Sequence, residues 1–321
     1  MQSESTFFKI EEINDHYIKV TLKDTTYLPK VSEWDKEILT KKKIMYPVEK
    51  LDFFHDFPVR EEDVWIITND RCGTTWTQEM TWLILNDLDF DKAKTVDLEL
   101  RSPFIEFPTP DGFNFEDVPS PRLLKTHLPM QLLPKDIWTK KPKIIYVVRD
   151  PRDAFVSSYH QNQFFLGVDS VPDLETFVEE FMEYSCFWQH ALSFYKIRTQ
   201  ENIIFYSFEQ MKKDLKSIVS KVCAFVGRKY NDDEIGRLLE HLDFKNMKNN
   251  ESCSHRLEVE HVRKLCDVKP ECIDPLNKFI RQGIVGGHKK ELSKGFLKKM
   301  DEWEKNNLEI YNLCLNDLLF T

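Results

Sequence analysis

Thr68-Asn69-Asp70-Arg71-Cys72-Gly73-Thr74-Thr75-Trp76 joins an apolar, β-branched run, Val64-Trp65-Ile66-Ile67, to Thr77-Gln78-Glu79-Met80-Thr81-Trp82-Leu83-Ile84-Leu85, whose apolar residues recur at helical spacing. That order predicts strand, tight turn and helix. Gly73 lets the backbone fold sharply and a ligand approach closely, while Thr74 and Thr75 are expected to cap the helix and leave its first N–H groups pointing outward. Such a helix start takes an anion, and Arg71 adds a full positive charge, so phosphate or sulfate is the group it fits. Alone, the stretch equally suits an ordinary strand-to-helix connection, and its surroundings must decide.

Working outward, Lys143-Ile144-Ile145-Tyr146-Val147-Val148 reads as a buried parallel strand running into Arg149-Asp150-Pro151-Arg152-Asp153, with Pro151 suited to a first helical turn. Two cation-bearing junctions at the carboxyl ends of strands are where an open α/β sheet binds its ligand. Between them, Arg122 to Pro129 reads as a strand whose alternation sets Lys125 and His127 on one face, about 6 to 7 Å apart. Prolines 108, 110, 119 and 121 mark a long loop region ahead of it, of the kind that is commonly functional. Residues 173 to 199 are helical, 202 to 208 form another strand, and an amphipathic helix follows through Met211, Leu215, Val219 and Val222. The alternation predicts an α/β fold, a central, mostly parallel sheet flanked by helices, in a single domain spanning 1–321.

At the margins, residues 1 to 59 are expected to pack on that core, with a weak strand at His16 to Leu22, a solvated run Lys41-Lys42-Lys43, and Phe53, Phe54 and Phe57 across the mouth of the main sheet. Residues 232 to 250 show two short helical patterns, and the polar, charged, irregular stretch 251–275 is a candidate mobile lid. Phe279 to Lys289 carries three glycines in five positions, and a terminal helix is expected over Phe296 to Leu315.

With 321 residues, 41% of them hydrophobic, the chain is long enough for a full core. Its formal charge of -9 argues against a nucleic-acid or anionic-membrane partner. Seven scattered cysteines without metal-ligand spacing suit a reduced, cytoplasmic protein with no zinc site. No signal peptide or membrane span is expected.

Four ordered motifs, Gly73 to Trp76, Arg122 to Pro129, Arg149 to His160 and Phe279 to Lys289, resemble those of the cytosolic sulfotransferases over roughly residues 60 to 300. The resemblance implies a P-loop-like sulfotransferase fold. It also implies transfer of a sulfonate from 3′-phosphoadenosine 5′-phosphosulfate (PAPS), without a metal, to a hydroxyl of a small lipophilic phenol, steroid or terpenoid alcohol, in xenobiotic or hormone metabolism. By that similarity the backbone from Cys72 through Gly73, Thr74 and Thr75 to Trp76 cradles the 5′ end, and Trp76 and Phe244 sandwich the adenine. Arg149, Ser157, Arg281 and Gly283 hold the 3′-phosphate. His127 is the general base, Lys125 and Arg71 stabilise developing charge, and Phe104, Phe107, Phe164 and Phe165 wall the acceptor.

The chain departs from the family at Asp70 and Arg71 (usually proline and lysine), Cys72 (serine), Phe208 (tyrosine), Leu242 (threonine), Gln282 (lysine) and His288 (tryptophan). The nucleotide contacts expected of Phe208 and Gln282 are weakened accordingly. The dimer signature is poorly kept at Ser293, Lys294 and Lys298, which leaves monomer or homodimer open. A P-loop kinase lacks its GxxxxGK[ST] pattern here. A nucleotide-binding protein with weak or lost transfer, and a PAPS-dependent alcohol dehydratase, remain as alternatives.

Overall fold

A computed structural model describes residues 5–13, 17–29, 37–41, 50–107, 112–274 and 278–320. Four strands, β4 (Val64–Thr68), β5 (Leu123–Thr126), β6 (Lys143–Val148) and β7 (Ile203–Ser207), lie parallel in the order β5-β4-β6-β7. Each is buried on both faces, which is why their sequences read as unbroken apolar runs. Trp65, Ile67, Leu124, Ile144 and Tyr146 join one core cluster, which includes the helix Phe187–Ile197. The alternate residues Ile66, Leu123, Ile145 and Val147 join the other, with the helices Thr74–Leu85 and Leu215–Val226.

Near the N-terminus, β1 (Phe8–Glu12), β2 (Tyr17–Leu22) and β3 (Glu37–Lys41) form a small antiparallel sheet. Phe8, Ile18, Val20 and Leu22 from it bury into the first cluster. Lys42, Lys43, Pro108 and Pro110 lie outside the described residues.

Several local expectations need correction. The phenylalanine cluster packs at the amino end of the strands: Phe57 meets Trp65, the second residue of β4, edge-on at 5.8 Å, while Phe53 is half exposed. The helical stretch 173 to 199 is two helices, Leu174–Tyr184 and Phe187–Ile197, because Ser185 takes an extended backbone between them. The terminal helix runs over Lys294–Leu308 and ends before Asn312, a residue type that tolerates the left-handed conformation it adopts there (φ 54°). The stretch 251–275 is not irregular, since it contains the helix Arg256–Leu265, which buries Val259 and Val262. Among the described residues no helix is long and apolar enough to cross a membrane.

Candidate active site

At the carboxyl ends of the strands lies a cavity of about 250 Å³. Arg71, Gly73, Thr74, Thr75, Trp76, Phe104, Phe107, Lys125, His127, Arg149, Ser157, Phe208, Phe244, Arg281, Gln282 and Gly283 all line it. Two expected residues do not. The Cys72 side chain is fully buried in the core with its Sγ on the Asp70 carbonyl, so only its backbone is near the turn. Phe164 turns away, its ring beneath the Arg263 guanidinium at 5.1 Å, and its helical neighbour Phe165 reaches the cavity instead.

The turn itself is built by Gly73, which takes φ 98° and starts the helix Thr74–Leu85. A Cβ there would lie 2.9 Å from Cδ2 of Phe208, so close packing and backbone conformation both require glycine. The threonines do not cap: no side chain caps this helix. Thr74 Oγ1 pairs instead with Thr68 Oγ1 at 2.7 Å, and Thr75 Oγ1 with His255 Nε2 at 3.0 Å. The helix N-terminus therefore faces the cavity without a side-chain acceptor.

Two guanidinium groups converge beside it. Arg149 donates to the carbonyls of Arg71 (2.9 Å) and Ile284 (3.1 Å) and lies 4.4 Å from the Phe208 ring centre. Its buried Nε has no hydrogen-bond partner among the described residues. Arg71 donates to Ser157 Oγ (3.1 Å) and the Phe279 carbonyl (3.2 Å). Among the described residues neither makes an ion pair, although burial pushes the nearby Asp70 carboxyl upward against the pull of Arg71. Asp153 anchors the glycine segment by accepting from the backbone N–H groups of Gly286 (2.6 Å) and His288 (3.1 Å) and pairing with the His288 ring (2.7 Å). Arg281 pairs with Glu291 at 3.2 Å.

On the aromatic side, Trp76 donates its indole N–H to the Leu242 carbonyl at 2.9 Å. Phe244 lies against Gly283 so tightly that a Cβ at that glycine would come within 2.7 Å of its ring.

Beyond β5, His127 Nδ1 lies 2.8 Å from the Thr68 carbonyl oxygen and 3.1 Å from Thr68 Oγ1. A carbonyl only accepts, so Nδ1 carries the proton and Nε2 the lone pair. Burial, aided by Lys125, pulls the ring down to about 3, so it is neutral at working pH. Its backbone N–H donates to Glu106 Oε1 at 2.5 Å. Burial pushes that carboxyl up to about 8. Lys125 Nζ lies over the Phe104 ring at 4.0 Å and 3.7 Å from Glu258 Oε2.

Glu106, Glu258, His255 and Asp153 come to the site without a motif of their own in the sequence. Only the position of Asp153, four residues after Arg149, offered a signal. Glu99, His255 and Glu258 bring potential metal-ligand atoms within 4.8 Å of one another. Those groups already serve the fold, because Glu99 accepts from the backbone N–H of Leu257 and of Glu258, and His255 pairs with Thr75 and Glu258.

Comparison with known proteins agrees with this arrangement. The Sulfotransferase domain family profile matches residues 61–312. Luciferin sulfotransferase from Photinus pyralis is 34% identical over 276 residues, 78% of this chain and 73% of that protein. Sulfotransferase 1A1 from Canis lupus familiaris is 32% identical over 258 residues, covering 77% and 83% respectively. In fold, the chain resembles retinol dehydratase solved in complex with retinol and PAP (TM-score 0.75, 24% identity, 94% and 97% of the two chains). It also resembles a mouse sulfotransferase complexed with PAP (TM-score 0.64, 25% identity, 86% and 93%). A family match over most of the chain, together with a parallel sheet whose glycine turn opens into one cavity with Arg149 and His127, places this protein in the sulfotransferase family.

Proposed function

We propose that the protein transfers a sulfonate group from PAPS to a hydroxyl of a small lipophilic acceptor, with His127 Nε2 as the general base. The observation that carries this reading is the single cavity lined by Gly73, Arg149 and His127. The fit to a doubly phosphorylated nucleotide rests on the buried Arg149 Nε, which lacks a partner among the described residues, and on the uncapped helix start at Gly73. Arg149 and Ser157 would hold the 3′-phosphate, the N–H groups from Gly73 to Trp76 the 5′ end, and Trp76 and Phe244 the adenine. When bound, PAPS supplies the activated sulfonate.

His127 accepts the acceptor's proton at Nε2 as the acceptor oxygen–sulfur bond forms and the sulfur–oxygen bond to the nucleotide breaks, releasing PAP, and the Thr68 carbonyl steadies the imidazolium through Nδ1–H. Lys125 is placed to stabilise charge on the sulfonate oxygens. Phe104, 5.1 Å from the His127 ring, and Phe107, stacked on it, give the acceptor an apolar wall and exclude water. The seven free thiols suit a reducing, cytoplasmic compartment.

The test is incubation with PAPS and a panel of phenols, steroids and terpenoid alcohols, read by product mass. His127→Ala is expected to lower transfer by about 10²- to 10⁴-fold with nearly unchanged affinity for PAP, the desulfonated nucleotide. Undiminished transfer refutes the base. A second reading, nucleotide binding with weak or lost transfer, is favoured by Arg71, whose guanidinium is engaged by Ser157 and the Phe279 carbonyl. PAP binding without any product supports it. A product lacking both sulfate and the hydroxyl points to dehydration instead.

A further inference from the structure

Glu258 lies in the first turn of the helix Arg256–Leu265 and lines the cavity beside Phe104, Phe107, Lys125, His127 and Val262. It is 8% exposed. Both of its side-chain contacts fall on one oxygen: Lys125 Nζ lies 3.7 Å, and His255 Nδ1 3.1 Å, from Oε2. Oε1 has no hydrogen-bond partner among the described residues. The group is held in place, since its backbone N–H donates to Glu99 Oε1 at 2.6 Å and its neighbour His255 is fixed by Thr75. Burial pushes the carboxyl up, but Lys125 and His255 outweigh it and hold it at about 2.

A largely shielded carboxylate beside Phe104, Phe107 and Val262 gains from a donor at its second oxygen.

We propose that Glu258 selects the acceptor, taking a hydrogen bond at Oε1 from a second donor, a hydroxyl or a protonated amine, on a molecule whose reacting hydroxyl lies at His127. This deepens the sulfotransferase reading and rests on it.

The experiment compares 3- and 4-substituted ethylphenol, hydroxyethylphenol and aminoethylphenol as acceptors for the wild type, Glu258→Gln and Glu258→Leu. The readout is kcat/KM with product mass. The same phenols are titrated into each protein saturated with PAP, and PAP affinity within about twofold of wild type shows that each variant is folded. The wild type is expected to favour the donor-bearing phenols by about tenfold or more, and the two arms show whether the ammonium or the hydroxyl is preferred. Glu258→Leu is expected to reverse the order in favour of ethylphenol, and Glu258→Gln to remove the advantage of the amine while keeping part of that of the hydroxyl. Equal preference in the wild type, or a preference unchanged in Glu258→Leu, overturns the proposal. If no phenol is sulfonated, the sulfotransferase reading fails for these acceptors, while the ratio of binding constants still judges Glu258.

Discussion

The two ends of the parallel sheet use buried arginine in opposite ways. At the amino end, just before β4 and β5, Arg122 makes a two-pronged contact with Asp63 (2.8 and 2.6 Å) and also donates to the carbonyls of Pro58 and Phe115. Both side chains are sealed from water. At the carboxyl end, the hydrogen bonds of Arg149 and Arg71 go to carbonyls and a hydroxyl, and among the described residues Arg149 keeps one buried N–H without a partner. Removing one partner of a satisfied buried ion pair costs the fold heavily, whereas an incompletely satisfied cation is a place for an anion to arrive.

The contrast is broken most severely by Asp63→Asn. Removing the carboxylate leaves a buried guanidinium uncompensated, and a loss of about 3–5 kcal/mol in denaturant unfolding is expected, with PAP affinity of the folded fraction intact. If Arg149→Ala costs the fold as much, the two ends do not differ. Its expected effect lies elsewhere: PAP affinity falls by about a hundredfold in calorimetric titration, since charge-assisted bonds to phosphate are lost, while unfolding midpoints hardly move. A finer test concerns Glu106, which keeps its proton up to about pH 8 in the folded chain because of burial, whereas the unfolded carboxyl releases it near 4.5. Between those values the unfolded state binds fewer protons, so stability falls as pH rises, by about 1 kcal/mol per pH unit. Glu106→Gln is expected to flatten that slope in thermal melts from pH 5 to 8, and an unchanged slope would show that the carboxyl is already ionised.

How much of this was legible in the sequence follows from how local each feature is. The glycine turn and the proline opening the helix after Arg149 are set by neighbouring residues, and the structure carries both; Lys125 and His127 share the cavity as expected, but β5 ends at Thr126, so His127 is placed by the turn after the strand rather than by alternation within it. The residue pattern suggests caps at Thr74 and Thr75 because it does not reveal that Thr68 and His255 offer competing partners from 6 and 180 positions away. Phe164 and Phe165 are adjacent on one helix, and a single step there turns a side chain by about 100°, beyond what periodicity resolves. Glu258 and His255 stayed hidden for a similar reason. Their helix buries Val259 and Val262 and leaves Leu265 exposed, a pattern that marks an amphipathic helix without naming the surface it packs on, and tertiary packing alone carries Glu258 to the cavity.

The bond from the Trp76 indole to the Leu242 carbonyl has an evolutionary consequence. Every amino acid supplies that main-chain oxygen, so the wall of the nucleotide slot stays tethered whatever polarity drifts in at position 242. The side chain there, fully buried and lining the cavity, answers to packing and to what the cavity holds, not to the tether. Leucine in place of the family's threonine is thus a change the tether itself does not register.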